Sequence, residues 1–336
     1  MKIVIDKEIP YLASCVTTHW PDVQVCALDG LSINAAVVRD SDVLVVRTRT
    51  KVDENLLRGS RVRLVCTATI GFDHIDTAYC DRSGIRWTAC PGCNAQAVCD
   101  YIEEALLETS SPDTPLTLGV VGAGHVGSKV AEMANRRGLH VLLNDPPKGL
   151  GVPLDTIARE CDIITFHTPL THDGPYPTWH LCDTSFLNQT KPSALIINAA
   201  RGGVVDEQAL LQSNRRFVLD TWENEPDISP EVVARAERAS MHIAGYSLEG
   251  KRNATQMCLD AIADTFALPK ILVPIEKSSG DTAPDWLSRI SSALKDAVLV
   301  PTRENTTAVQ VSTQATPNKK PVPESFERLR KNYLLR

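Results

Sequence analysis

The chain has no surplus of basic charge, no long apolar run and no second pair of closely spaced cysteines. Each absence closes off a class of function. Its 336 residues carry 35 Lys and Arg against 41 Asp and Glu, a formal net charge of −6. A binder of nucleic acid or of an anionic membrane surface would show a basic surplus or stripe, so neither partner is expected. No apolar run approaches the ~18 residues that a membrane span needs. The ten cysteines are scattered from Cys15 to Cys258 in a chain too long to need staples, which reads as reduced thiols in the cytoplasm. Cys90-Pro-Gly-Cys93 has the spacing of half a zinc site, but no matching pair follows and no metal is expected. The opening Met1–Asp6 reads as a first strand and not as a targeting segment. No internal repeat of fixed period is found.

What is present is the composition of a globular protein of about two domains, 43% hydrophobic and 23% charged. The charge is uneven: residues 317–336 hold six Lys and Arg against Glu324 and Glu327, so this end is +4 and the rest −10. Runs rich in Val and Ile alternate with amphipathic stretches, the pattern of parallel α/β units. Such runs fall at 2–6, 23–27, 42–47, 63–69 and 85–89. A helix is expected over 94–107, capped by Asn94, with Ala97, Val98, Tyr101, Ile102, Ala105 and Leu106 on one face. After a polar connector a second series begins: LTLGVVG, a helix to Arg137, HVLLND, DIITFHT, ALIINAA, FVLD and MHIAG. The short connection before Phe217 predicts a late start for FVLD. From about 277 the pattern weakens.

Gly122-Ala-Gly124-His125-Val126-Gly127 follows a strand run and opens a helix. That setting turns a weak motif into a dinucleotide site: one glycine for the tight turn, one for backbone approach to a pyrophosphate, one for close helix–strand packing. Asp145 stands at the end of the next strand run, where a carboxylate accepts from ribose hydroxyls and repels a 2′-phosphate, so NAD is the expected cofactor. Lys148, three residues on, slightly weakens that preference. Arg201, Glu225 and His242 follow or fall within later strand runs. Oxidation of a 2-hydroxy acid needs a guanidinium for the carboxylate, a histidine for the hydroxyl proton and a carboxylate behind the imidazole. Taken singly, the three read equally well as a flanking cation, a loop acid and a buried structural histidine.

These and further motifs carry a resemblance. G-A-G-H-V-G at 122, N-A-A-R-G-G-V-V-D at 198–206 and L-D-T-W-E-N-E-P at 219–226 resemble the D-isomer-specific 2-hydroxyacid dehydrogenases. V-V-R-T-R-T-K-V at 45–52, T-A-T-I-G-F-D-H-I-D at 67–76, D-P-P at 145–147 and H-I-A-G-Y-S-L-E-G-K at 242–251 are similar to a branch acting on a small phosphorylated 2-hydroxy acid. The resemblance implies Arg201, Glu225 and His242 as the catalytic set, and cofactor contacts from Asp145, Thr168, Asp220 and Gly245. It implies substrate contacts from Thr48, Thr69 and Tyr246, with Arg47 beside them. Residues two apart share a strand face, so Arg47, Arg49 and Lys51 read either as one cationic edge for a phosphate or as a solvated strand end.

The implied fold is a flavodoxin-like substrate lobe (1–93 and 250–276) with an inserted Rossmann NAD-binding lobe (94–249). A small C-terminal α+β dimerisation region (277–336) follows, shortened relative to the family, and a homodimer is implied. A cleft between the lobes is expected to hold the substrate. Arg201-Gly-Gly203 has glycine where the family commonly has proline, which is expected to loosen the loop. Two alternatives stay open: a dehydrogenase of another D-2-hydroxy acid, and an NAD-sensing binding protein, which would not need the segment 45–52.

Overall fold

The computed structural model describes residues 1–109, 116–275, 285–299 and 322–333. It divides into two compact units, the described parts of Met1–Ala95 with Tyr246–Ser279 and of Gln96–Gly245 with Gly280–Leu334.

The first unit has five parallel strands, β1 Lys2–Asp6, β2 Gln24–Leu28, β3 Val43–Val46, β4 Leu64–Thr67 and β5 Arg86–Thr88. Their order β2-β1-β3-β4-β5 is that of flavodoxin-like sheets. Strand alternation divides its core in two. Ile3, Ile5, Val43, Val45, Leu64 and Cys66 face helices α1 (Leu12–His19) and, much later in the chain, Leu248–Phe266. Val4, Leu44, Val46 and Val65 face α2 (Ala35–Val38), α3 (Glu54–Leu57) and α4 (Thr77–Arg82). Each fully buried Val, Leu or Ile contributes about 1.5–3 kcal/mol. Asp53 caps α3 through a bond from the Leu56 N–H, and Gly59 follows with a positive φ of 71°.

The second unit opens with α5 (Ala95–Thr109) and carries a seven-stranded sheet: β6 Thr117–Val121, β7 His140–Asp145, β8 Leu150–Gly151, β9 Ile163–Phe166, β10 Leu195–Asn198, β11 Arg216–Leu219 and β12 Arg238–Ala239. The order is β12-β11-β10-β9-β6-β7-β8, parallel except for the antiparallel β7–β8 pair. Counted from β6, this is the 3-2-1-4-5-6 order of a Rossmann sheet with one strand added, and the order reverses between β6 and β9. Helices α6 (His125–Arg136), α7 (Leu154–Glu160), α8 (Thr184–Gln189), α9 (Glu207–Gln212) and α10 (Pro230–Arg235) connect the strands. The helix Leu248–Phe266, α11, returns to the first unit; α12 (Trp286–Leu299) and α13 (Val322–Asn332) pack on each other within the second. Much of the segment 277–336 lies outside the described residues, including Lys319, Lys320 and Arg336 of its basic end.

Five local expectations are corrected. Met241–Gly245 is a loop and the last strand is Arg238–Ala239, because the N–H groups of His242, Ile243 and Ala244 bond to Asp220 and not to a strand. β3 stops at Val46, and Arg47–Thr50 form a turn closed by Thr50 N–H on the Arg47 carbonyl, so the strand-face argument for Arg47, Arg49 and Lys51 fails. Asn94 does not cap α5; its Oδ1 is buried with no hydrogen-bond partner. β11 starts at Arg216, ahead of Phe217. The glycines after Arg201 do not loosen their loop. A Cβ at Gly202 would lie 1.8 Å from the Trp222 carbonyl oxygen, and Gly203 has a φ of +84°, closed to proline.

Candidate active site

The cofactor cradle begins where β6 ends. At Gly122, with φ +93°, a Cβ would lie 2.8 Å from the His167 carbonyl oxygen; at Gly127 it would lie 1.8 Å from that of Gly122. Those two glycines let α6 and the loop meet more closely than side chains allow. Over Gly124 a Cβ would meet nothing within 4 Å, which leaves the loop open to a ligand. Gly124 caps α6 without a side-chain bond, so the first-turn N–H groups of His125, Val126 and Gly127 lie ahead of the first intrahelical bond, at a positive helix end. Thr168, just past β9, has a buried Oγ1 with no hydrogen-bond partner, as does Thr221 past β11. A buried hydroxyl left this way costs about 1–3 kcal/mol. Glycine cradle, open loop and waiting hydroxyl all fit a bound dinucleotide.

Asp145, the last residue of β7, is 8% exposed and accepts the Ala123 N–H at Oδ2 (2.8 Å). Asp220 is 1% exposed. Its Oδ1 accepts from Ser240 Oγ (2.7 Å) and Ile243 N–H (2.8 Å), and its Oδ2 from Ala244 N–H (2.9 Å). Asp220 thereby shapes the loop that carries His242 and ends at Gly245. That work was not legible in sequence, where the residue stood only as a cofactor contact.

Arg201, Glu225 and His242 sit past the carboxyl ends of β10, β11 and β12. Asn198 ties the Arg201 loop by donating from Nδ2 to the Arg201 carbonyl (2.9 Å) while its Oδ1 accepts the Ala200 N–H (3.1 Å). Half-buried Arg201 donates from Nη1 to the Ala200 carbonyl at 2.7 Å. Glu225 accepts the Trp222 N–H at Oε1 and faces His242 Nδ1 with Oε2, both at 2.8 Å. Burial raises the Glu225 pKa, but the His242 hydrogen bond and charge, the Trp222 N–H and the positive charge of Arg330 together hold it below the usual carboxylate value. An ionised Glu225 assigns the proton to Nδ1 and leaves His242 Nε2 to exchange protons with a ligand. His242 itself has φ 56° and Asn224 φ 59°, left-handed conformations that turn both ends of this pair.

A neighbouring acid was missed in sequence. Glu207 is 6% exposed and exchanges two hydrogen bonds with Glu223: its carboxylate accepts the Glu223 N–H (2.7 Å) and its own N–H donates to Glu223 Oε1 (3.1 Å). Burial, with the charges of Glu223, Glu225 and Asp206, pushes its pKa up to about 7 against the opposing Glu223 N–H. His180 Nε2 lies 3.1 Å from Glu223 Oε1 and its Nδ1 3.6 Å from Asp206 Oδ2. These three side chains bring ligand atoms within 4.8 Å of one another, with His180 hydrogen-bonded to Glu223 alone of the two acids.

The residues expected to touch substrate lie in the first unit. Arg47 donates weakly to the Glu8 carbonyl (3.4 Å), Thr48 and Arg49 are exposed in the turn, and Lys51 pairs with Asp53 at 3.2 Å. Thr69 Oγ1 bonds Thr67 Oγ1 (2.6 Å) and the Gly71 carbonyl (2.8 Å). Tyr246 is half-buried just before α11. Lys251, quoted in sequence only as part of a motif, is a further cation here: burial first, then the charge of Arg47, lowers its pKa, with Glu8 opposing.

Comparison with known proteins adds the lineage. Residues 109–244 match the family model described as D-isomer specific 2-hydroxyacid dehydrogenase, NAD binding domain. The erythronate-4-phosphate dehydrogenase of Bacteroides fragilis is 43% identical over 283 residues, 80% of this chain and 81% of its own length. That of an Enterobacter species is 37% identical with 100% of this chain and 92% of its own length covered. Among solved structures, D-lactate dehydrogenase from Aquifex aeolicus matches with a TM-score of 0.63 at 22% identity, over 82% of this chain and 100% of that one. The 3-phosphoglycerate dehydrogenase of Entamoeba histolytica gives 0.67, also at 22%, over 82% and 99%. These structures support the fold alone. The chain belongs to the D-isomer specific 2-hydroxyacid dehydrogenases and, among them, to the erythronate-4-phosphate dehydrogenase family.

Proposed function

We propose that the chain oxidises 4-phospho-D-erythronate at its 2-hydroxyl to 2-oxo-3-hydroxy-4-phosphobutanoate, a step of pyridoxal 5′-phosphate biosynthesis. The observation that carries the chemistry is the 2.8 Å contact between Glu225 and His242 Nδ1, in a chain 37% identical along its whole length to an erythronate-4-phosphate dehydrogenase. NAD, when bound, supplies the hydride acceptor. His242 Nε2 takes the hydroxyl proton as hydride leaves the α-carbon, and Glu225 stabilises the imidazolium that results. Arg201 holds the substrate carboxylate, for which a guanidinium offers two parallel donors. Gly122, Gly124, His125, Val126 and Gly127 seat the pyrophosphate, Asp145 the ribose, and Thr168, Asp220 and Gly245 line the nicotinamide side. Arg47, Thr48, Thr69 and Tyr246 contact the phosphorylated substrate.

Among the described residues no helix is long and apolar enough to cross a membrane. The reading includes a cytoplasmic setting and a homodimer, with no nucleic-acid partner. The test is NADH appearance with 4-phospho-D-erythronate beside D-lactate and D-glycerate. A clear preference for the phosphorylated acid is expected. Equal rates on all three would instead indicate a general D-2-hydroxy acid dehydrogenase. Binding of NADH with no turnover of any of them would indicate a sensor.

A further inference from the structure

The sequence Asp145-Pro-Pro-Lys148-Gly149 folds back on itself. Pro146–Lys148 form one 3-10 turn, Gly149 ends it at φ 64°, and the chain returns as β8, with Leu150 opposite Asp145. Residues three apart eclipse in a 3-10 turn, and two prolines fix φ along it, so the side chain of Lys148 is returned over Asp145. The return is held firmly: a Cβ at Gly151 would lie 1.9 Å from the Leu143 carbonyl oxygen, so the strand lies tight against β7. Lys148 Nζ is 3.6 Å from Asp145 Oδ2 and donates to the Ala123 carbonyl at 2.6 Å. Ala123 in turn gives its N–H to the same Asp145 oxygen at 2.8 Å. Carboxylate, ammonium and the glycine-loop backbone therefore form one closed cluster where a ribose is to be seated.

We propose that Lys148 sets how strongly the chain prefers a dinucleotide with a free ribose 2′-hydroxyl over a 2′-phosphorylated one. The inference rests on the dinucleotide reading of this site. A bare carboxylate at the end of β7 repels a 2′-phosphate by charge. Here an ammonium beside that carboxylate offsets the repulsion. It is half exposed, with a side-chain exposure of 50%, and an ammonium has three donors. One is directed at the Ala123 carbonyl, and Asp145 at 3.6 Å is an ion-pair neighbour beyond hydrogen-bond distance, which leaves donors for an incoming phosphate. The consequence is a site that holds NAD(H) and also tolerates NADP(H), with Lys148 responsible for the tolerance.

The experiment is a fluorescence titration of the cofactor-free protein with NADH and with NADPH, for the wild type, Lys148→Ala, Lys148→Met and Lys148→Arg. Deleting a charge-assisted hydrogen bond that only one of two ligands makes changes their relative affinity by about tenfold. Both uncharged variants are expected to raise the ratio of the NADPH to the NADH dissociation constant by about that factor, mainly through weaker NADPH binding. Lys148→Arg, which keeps the charge, is expected to hold the ratio within about threefold of the wild type. An unchanged ratio in both uncharged variants, with NADH still bound, overturns this inference and leaves the proposed function standing. A wild type that binds neither cofactor overturns both.

Discussion

At the scale of the residue, the Glu225–His242 pair and Glu207 make opposite demands on pH. His242→Ala removes the proton acceptor and is expected to lower kcat by about 10²–10⁴-fold. NADH affinity by fluorescence should stay unchanged, since the glycine cradle and Asp145 lie on other loops and the His242 loop is held to Asp220 through backbone N–H groups that the substitution leaves in place; retained turnover would mean that another group is the base. Glu225 has a lowered folded pKa, so its contribution to stability is complete at neutral pH and fades as pH falls through that value. Glu207 works the other way. Between the ordinary 4.5 and about 7 the folded chain holds a proton that the unfolded chain has released, so its contribution falls as pH rises through that window. Glu207→Gln keeps an acceptor for the Glu223 N–H and abolishes the titration. The variant should gain on the wild type between about pH 5 and about pH 8, by on the order of 3 kcal/mol at the upper end. Urea midpoints at the two pH values measure it; a constant difference would refute the buried titration. Glu207 was invisible in sequence because a glutamate at the start of a helix is ordinarily solvated, and only the packing around Glu223 buries it.

At the scale of the element, loops and not strands carry the chemistry, and their shape depends on close backbone approach. The loop after β10 passes so near Trp222 that Gly202 has no room for a methyl group, and Trp222 is the residue whose N–H holds Glu225. Gly202→Ala must displace one loop or the other, at a cost of about 1–3 kcal/mol, and is expected to lower turnover by misplacing Glu225. Gly138 is the control: it has φ +80° with nothing within 4 Å of a Cβ, so Gly138→Ala should reduce stability through backbone strain alone and leave turnover intact. Thermal unfolding and NADH production on both variants separate the two effects. The strand runs were legible because Val and Ile cluster in continuous runs on parallel strands buried on both faces. MHIAG, with one Ile and no Val, is a loop because the two oxygens of Asp220 take the N–H groups that a neighbouring strand would have taken.

At the scale of the whole molecule, the basic end of the chain acquires a place. Arg328, Arg330 and Lys331 lie on α13, which packs on α12, and Phe326 of that helix is fully buried. Arg330 adds positive charge that helps keep Glu225 ionised. Removal of residues 322–336 is therefore expected to cost about 1.5–3 kcal/mol from the Phe326 side chain alone, seen as a lower urea midpoint. It should also move the acid limb of the pH–rate profile upward as Glu225 loses a neighbouring cation. An unshifted acid limb would mean that Arg330 does not act on the pair. For the proposed homodimer, light scattering on the intact protein is expected to give twice the 36.7 kDa of the chain; the mass of a single chain would refute it.

The α/β periodicity, the glycine turn between a strand and a helix, and the residue types of the Arg201, Glu225 and His242 set can be read along the chain alone. These are local: side-chain period, backbone freedom and functional-group chemistry are read one segment at a time. It takes the packed fold to show that Asp220 holds the His242 loop, that Glu207 is buried among acids, that Asn94 caps nothing and that the cations after β3 lie on a turn. Each of these depends on which distant backbone or charge comes to lie beside the residue, and the neighbour that sets a group's hydrogen bonds and its pKa is chosen by packing, not by position along the chain.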